Sequence, residues 1–135
     1  MTYFKITIKA LDHGWAELAL IIDEQERMFY FEYVPNDPLY DLLESAIRIM
    51  GRVDSTIIFH NNSHQEILSV KSIEKGLCCI EAEGIHAFLT VKHFARAVLR
   101  MFDSYVFDFS RSEYNAHWGS FPESDLEKLR NLSRS

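Results

Sequence analysis

The stretch that most limits what this chain can fold into runs from Asp37 to Gly51. Asp37 stands where a side chain can cap the first free amides of a helix. Pro38 fits the first helical position, where no amide donor is needed. Gly51 is expected to supply a left-handed stop. Leu39, Leu42, Leu43, Ala46, Ile47 and Met50 recur at three- and four-residue steps and share one stripe. Asp41, Glu44, Ser45 and Arg48 fall largely elsewhere. A helix this one-sided needs an apolar floor, and the runs on either side of it alternate as β-strands able to supply one.

Before the helix, Phe4, Ile6 and Ile8 alternate with Lys5, Thr7 and Lys9. Asp12-His13-Gly14 is a turn signal. In the run from Trp15 to Ile22, Leu18, Leu20 and Ile22 are expected to face inward. Arg27 to Val34 is aromatic on both faces, with Phe29, Phe31 and Tyr33 on one and Met28, Tyr30 and Val34 on the other. After the helix come strands at Thr56–Phe59, Gln65–Ile73 and Leu77–Ala82. His60, Asn61, Asn62, Ser63 and His64 form a hairpin loop, since Asn tolerates positive φ. Ile85 to Leu89 reads as a short seventh strand or as a lead-in. A second helix is expected from about Val91 to Phe102 with Thr90 as its cap. Tyr105 to Phe109 reads as a short aromatic strand or extended segment, and residues 110–121 as irregular. Ser124 and Glu127 have capping-box spacing and open a short terminal helix. The resulting expectation is one α+β domain over residues 1–135. It has two layers: a mainly antiparallel sheet of about six strands, with two main helices on one side of it.

Charge narrows the function classes. The chain carries a formal charge of −6. Residues 1–50 hold nine acids against four bases, residues 51–102 five against six, and residues 103–135 six against four. Phosphate contacts need Lys and Arg, so this balance argues against non-specific binding to nucleic acid or anionic membrane. It suits a basic partner, or simply solubility. Cys78 and Cys79 are adjacent, so on a strand they point to opposite faces and make no ordinary disulfide. With no disulfide framework, no apolar leader run and no stretch near the ~20 residues of a membrane span, a cytoplasmic location is expected.

Motifs for chemistry are sparse. The five glycines form no phosphate cradle, and no Gly-x-Ser-x-Gly elbow occurs. Cys78 and Cys79 lie in an apolar strand, where thiols are usually inert. His60, His64 and Glu66 are the residues on which a small metal-dependent hydrolase would rest, although the flanking sequence argues hairpin and no further ligand completes a zinc set. The leading expectation is therefore no enzyme, no metal and no cofactor. The segment from Tyr105 to Trp118 mixes large rings with Asp and Glu, which is good protein-contact material. Phe107 and Phe109 are expected to fold back over the core. For Tyr114, His117 and Trp118, covering the core and meeting a partner are equally open.

Three features together resemble the small cytoplasmic immunity proteins that bacteria encode beside polymorphic or contact-dependent toxins. They are the strand opening at Trp15, the passage from Tyr33 through Pro35, Asp37, Pro38 and Tyr40 to Leu43, and the segment from Tyr114 to Trp118 before a short helix. The resemblance implies a non-enzymatic protein that covers a toxin domain, commonly a nuclease; it assigns no residue roles. Nuclease surfaces are basic because they hold phosphates, and an acidic inhibitor can offer carboxylates instead. The residues expected to meet such a partner are Asp12, Trp15, Glu17, Asp108, Glu113, Tyr114 and Trp118. The alternative is a self-associating structural or regulatory domain, a homodimer built on an exposed sheet edge and the strand at Arg27–Val34.

Overall fold

The computed structural model describes residues 2–62 and 64–134. Met1, Ser135 and Ser63, the last expected in the hairpin loop, lie outside the described residues. In chain order the elements are β1 (Phe4–Asp12), β2 (Trp15–Ile22), β3 (Gln25–Glu32), α1 (Pro38–Met50), β4 (Ser55–Asn61), β5 (His64–Glu74), β6 (Leu77–Ala82), β7 (Ile85–Thr90), α2 (Val91–Asp108), α3 (Arg111–His117) and α4 (Glu123–Arg134). The class is α+β with antiparallel pairing, as expected. The single sheet of about six strands is not found. Among the described residues there are two sheets, β1-β2-β3 and β4-β5-β6-β7.

The division falls between β3 and β4, where the chain leaves for α1 and returns. The two strands lie side by side without a backbone ladder, and side chains make the join. The Phe59 ring stacks on Phe29 at 4.7 Å between centroids and tilts against Phe31 at 4.9 Å. Arg27 pairs with Glu66 of β5 and donates to the Glu83 carbonyl. The Asn36 side chain donates to the Ile58 carbonyl of β4 at 2.9 Å. Strand periodicity shows which face is apolar, but whether neighbouring strands share a ladder depends on where the chain re-enters.

Helices α1, α2 and α4 pack on one another. α1 lies on β4 and β5, and α2 reaches both β1 and β7, the outer strands of the two sheets. The inward residues form one core that includes Ile6, Leu18, Leu20, Phe29, Phe31, Leu39, Leu42, Leu43, Phe59, Phe94, Val98 and Phe102. α1 begins as its sequence requires: Asp37 Oδ1 accepts the amides of Leu39 and Tyr40, both at 3.1 Å, and Pro38 is the first helical residue. Its end differs from expectation. Gly51 has φ −97°, and the left-handed residue is Arg52 at φ 64°. The amides of Arg52 and Val53 bond back to the carbonyls of Ile49 and Arg48, which is the Schellman arrangement.

The largest departure is in the aromatic tail. α2 does not stop at Phe102 but continues to Asp108, because Tyr105 extends the stripe of Phe94, Val98, Met101 and Phe102 and is buried with it. Tyr105–Phe109 is thus neither strand nor extended segment but the last helical turn and its cap. Residues 110–121 are not irregular throughout either. Ser110 Oγ accepts the Glu113 amide at 3.1 Å and caps α3. The spacing of Ser110 and Glu113 is the same as that of Ser124 and Glu127. At the latter pair the helix already starts at Glu123, so Ser124 is its second residue and not the expected cap.

Candidate functional site

The β1–β2 hairpin and β3 set a small grid of side chains on the outward face of the first sheet. Asp12 pairs with Trp15, and Trp15 with Glu32; in the next row Ala10 pairs with Glu17, and Glu17 with Tyr30. Residues two apart on a strand share a face, so all six point the same way. A β-bulge between Ile8 and Ala10 puts Ala10 and Asp12 on this face. The grid holds three carboxylates, two large rings and no base. Trp15 is 43% exposed and Tyr30 49%. A shallow cavity of about 300 Å³ lies here, lined by Ala10, Asp12, Trp15, Ala16, Glu17 and Tyr30.

At the rim, the hairpin tip is fastened to α3. The Gly14 amide donates to the His117 carbonyl at 2.8 Å, and the Tyr33 amide donates to the Gly14 carbonyl at 2.9 Å. Gly14 has φ 85°, a conformation that suits glycine. The imidazoles of His13 and His117 meet edge to face, with centroids 5.1 Å apart. His13 Nδ1 is paired with Asp12 Oδ1. His117 Nε2 lies 3.1 Å from Glu113 Oε2 one turn back on α3, and its Nδ1 lies 3.8 Å from Asp12 Oδ1.

Of the seven residues expected to meet a partner, Asp12, Trp15, Glu17 and Glu113 are brought to this hairpin end and its rim. Asp108 is exposed on the last turn of α2 and shares none of these contacts. Tyr114 and Trp118 are corrected: both are buried, at 1% and 7% exposure. Tyr114 packs edge to face on Phe121 and Tyr105. Trp118 lies edge to face on Phe31 and Tyr33, and its Nε1–H donates to Asp37 Oδ1 at 2.8 Å. Phe107 and Phe109 are corrected the other way. They are 91% and 52% exposed, because the helix that Tyr105 extends carries Phe107 onto its outer side. Tyr30, Glu32 and His13 were missed as site residues. The alternation of β3, which sets Tyr30 opposite Phe29 and Phe31, was the available signal.

Asp37 accepts three donors at once, from Leu39, Tyr40 and Trp118. Burial nevertheless pushes its carboxyl above the ordinary value, outweighing those bonds. A carboxyl raised in the folded state binds protons more readily there than in the unfolded chain. Its contribution to stability is therefore full below the ordinary value and falls as pH rises through the folded one. Asp37→Asn keeps an acceptor oxygen and removes the buried charge. It is expected to be as stable as the parent or more so at pH 7, and to flatten the fall in stability just above pH ~4. Asp37→Ala loses the cap and strands the indole N–H, a cost of about 2–4 kcal/mol. Urea melts of the three proteins at several pH values check this; equal slopes for parent and Asn variant would contradict it.

The other candidates for chemistry do not assemble. In the β4–β5 hairpin His60 pairs with Gln65, while Asn61 pairs with His64 and Phe59 with Glu66. His60 therefore faces away from both His64 and Glu66, and Glu66 is engaged by Arg27. The Cys78 thiol is buried and pushed up to about 11 by that burial; that of half-buried Cys79 is also raised, first by burial and then by Glu81. Neither is primed as a nucleophile. Among the described residues, no helix is long and apolar enough to cross a membrane.

The class defined so far is an α+β domain of two antiparallel sheets with an acidic, aromatic face at one hairpin end. No protein-family model matches the chain, and neither does any curated protein or solved structure.

Proposed function

We propose that this chain is a non-enzymatic protein-binding domain that docks through the outward face of β1–β3. We take its partner to be a basic protein domain, in the manner of a bacterial immunity protein neutralising a nuclease-like toxin in the cytoplasm. The observation that carries the reading is the grid of Asp12, Trp15, Glu17, Tyr30 and Glu32. Exposed Trp and Tyr supply contact area at low entropy cost, and the carboxylates around them select a partner rich in Lys and Arg. Neither nucleic acid nor membrane suits a face with no base on it.

The adjacent reading frame, expressed alone, is expected to arrest growth, and coexpression with this chain is expected to restore it. Trp15→Ala combined with Glu17→Lys removes one ring and reverses one charge at exposed positions. It should leave the fold intact and weaken binding to the neighbour's product about a hundred-fold or more. A harmless neighbour, or full affinity in the double variant, defeats the proposal.

A second reading has its own observation. The outer face of β4–β7 exposes Phe88 at 60% and Ile67 at 49%, with Cys79 and Ile58 paired beside them and the row of Ser69, Glu81 and His86 between. That face suits a homodimer. Light scattering separates the two readings, since a monomer at micromolar concentration removes the second.

A further inference from the structure

We propose that Asp12, His13 and His117 form a binding site for one divalent transition-metal ion of the zinc type, with Glu113 positioning His117 from behind. The argument starts from His117. Its Nε2 is 3.1 Å from the Glu113 carboxylate, so with the ring neutral the tautomer that suits this neighbour carries its proton on Nε2. That leaves a lone pair on Nδ1. Nδ1 is buried and has no hydrogen-bond partner. The group it faces is Asp12 Oδ1, at 3.8 Å, which is also an acceptor and lies beyond hydrogen-bond length. The buried Nδ1 of His117 and the Asp12 carboxylate, whose side chain is 74% exposed at the rim, are two donor atoms that a cation entering from solvent can join.

The third donor is already present. His13 Nδ1 lies against the same carboxylate oxygen, and donor atoms of Asp12, His13 and His117 all fall within 4.8 Å of one another. Zinc binds imidazole nitrogen and carboxylate oxygen at about 2.0–2.2 Å, which places tetrahedral ligands roughly 3–3.6 Å apart. The closure needed is about an ångström. His13 can supply it, because its side chain is 82% exposed at the hairpin tip. Two imidazoles and one carboxylate select zinc, nickel or copper over magnesium and calcium, which prefer all-oxygen shells. A carboxylate behind a ligating imidazole holds the ring in orientation, and Glu113 is placed to do this. The hairpin tip and α3 are otherwise joined here by the Gly14–His117 backbone bond, so the ion would also fasten two elements together.

The test uses the full chain without an affinity tag. Calorimetric titration with zinc is expected to show one equivalent bound, and zinc is expected to raise the melting temperature where magnesium and calcium do not. His13→Gln, whose side chain is mostly in solvent, should weaken zinc binding about ten-fold or more without lowering stability in metal-free buffer. His117→Gln should abolish binding; if it does not fold, His13→Gln decides alone. Glu113→Gln should weaken binding about ten-fold while leaving the stoichiometry at one. A paired His60→Gln, His64→Gln variant should bind as the parent does. Absence of one-to-one zinc binding overturns the proposal. Binding undiminished in His13→Gln overturns it as well. Trp15 and Glu17 are not ligands, so the docking proposal and this one fail separately.

Discussion

Replacing Trp118 with alanine is expected to lower stability by about 3–5 kcal/mol, the range for emptying a large aromatic site in a core. The indole is 7% exposed, lies edge-on to Phe31 and Tyr33, and donates to Asp37. Its removal opens a cavity beside β3 and takes one of three donors from a carboxylate that burial already disfavours. In a chain of this size the loss corresponds to a fall of roughly 10–20 °C in melting temperature. Trp118→Phe keeps most of the ring packing and drops only the N–H, so it should cost about 1–2 kcal/mol. The gap between the two variants separates packing from the hydrogen bond. Chemical denaturation of both proteins is the measurement. A loss under 1 kcal/mol in the alanine variant would return Trp118 to the surface and to the group of partner contacts.

Trp118 also shows where sequence was a sufficient guide and where it was not. α1 was legible because every local signal agreed: a capping Asp37, Pro38 at the first position, and a stripe whose members Leu39, Leu42, Leu43 and Ala46 are all fully buried. The strands were legible for a similar reason, since period-two alternation is a local property. The tail was not. Phe107 and Trp118 are both large apolar residues near acids, and which one is buried depends on whether a helix runs on past Phe102. That in turn depends on Tyr105 finding Tyr114 to pack against, a contact between elements. The site divided along the same line. Asp12, Trp15 and Glu17 come together through hairpin register, which a turn at His13-Gly14 nearly fixes. Glu113 arrives through the packing of α3 on the hairpin, and nothing in the spacing of residue 12 and residue 113 announces it.

Phe59→Ala is expected to cost another 3–5 kcal/mol or so, and to do more than thin the core. Phe59 is 1% exposed and touches Phe29 and Phe31 across a boundary that has no backbone ladder. Within each sheet, antiparallel hydrogen bonds couple the strands whatever their side chains do. Between β3 and β4 the coupling rests on this ring cluster, on Arg27 with Glu66, and on Asn36 with the Ile58 carbonyl. Deleting the ring should therefore uncouple the sheets as well as weaken them. In the parent, amides of β1–β3 and of β4–β7 are expected to exchange with solvent at one common limit, the mark of a single cooperative unit. In Phe59→Ala the two sets should separate. Phe88→Ala, at an exposed position on the outer face, should change stability by no more than about 0.5 kcal/mol and leave the two sets together. If exchange stays uniform in Phe59→Ala, the helices alone hold the two sheets as one body and the aromatic junction is not what couples them.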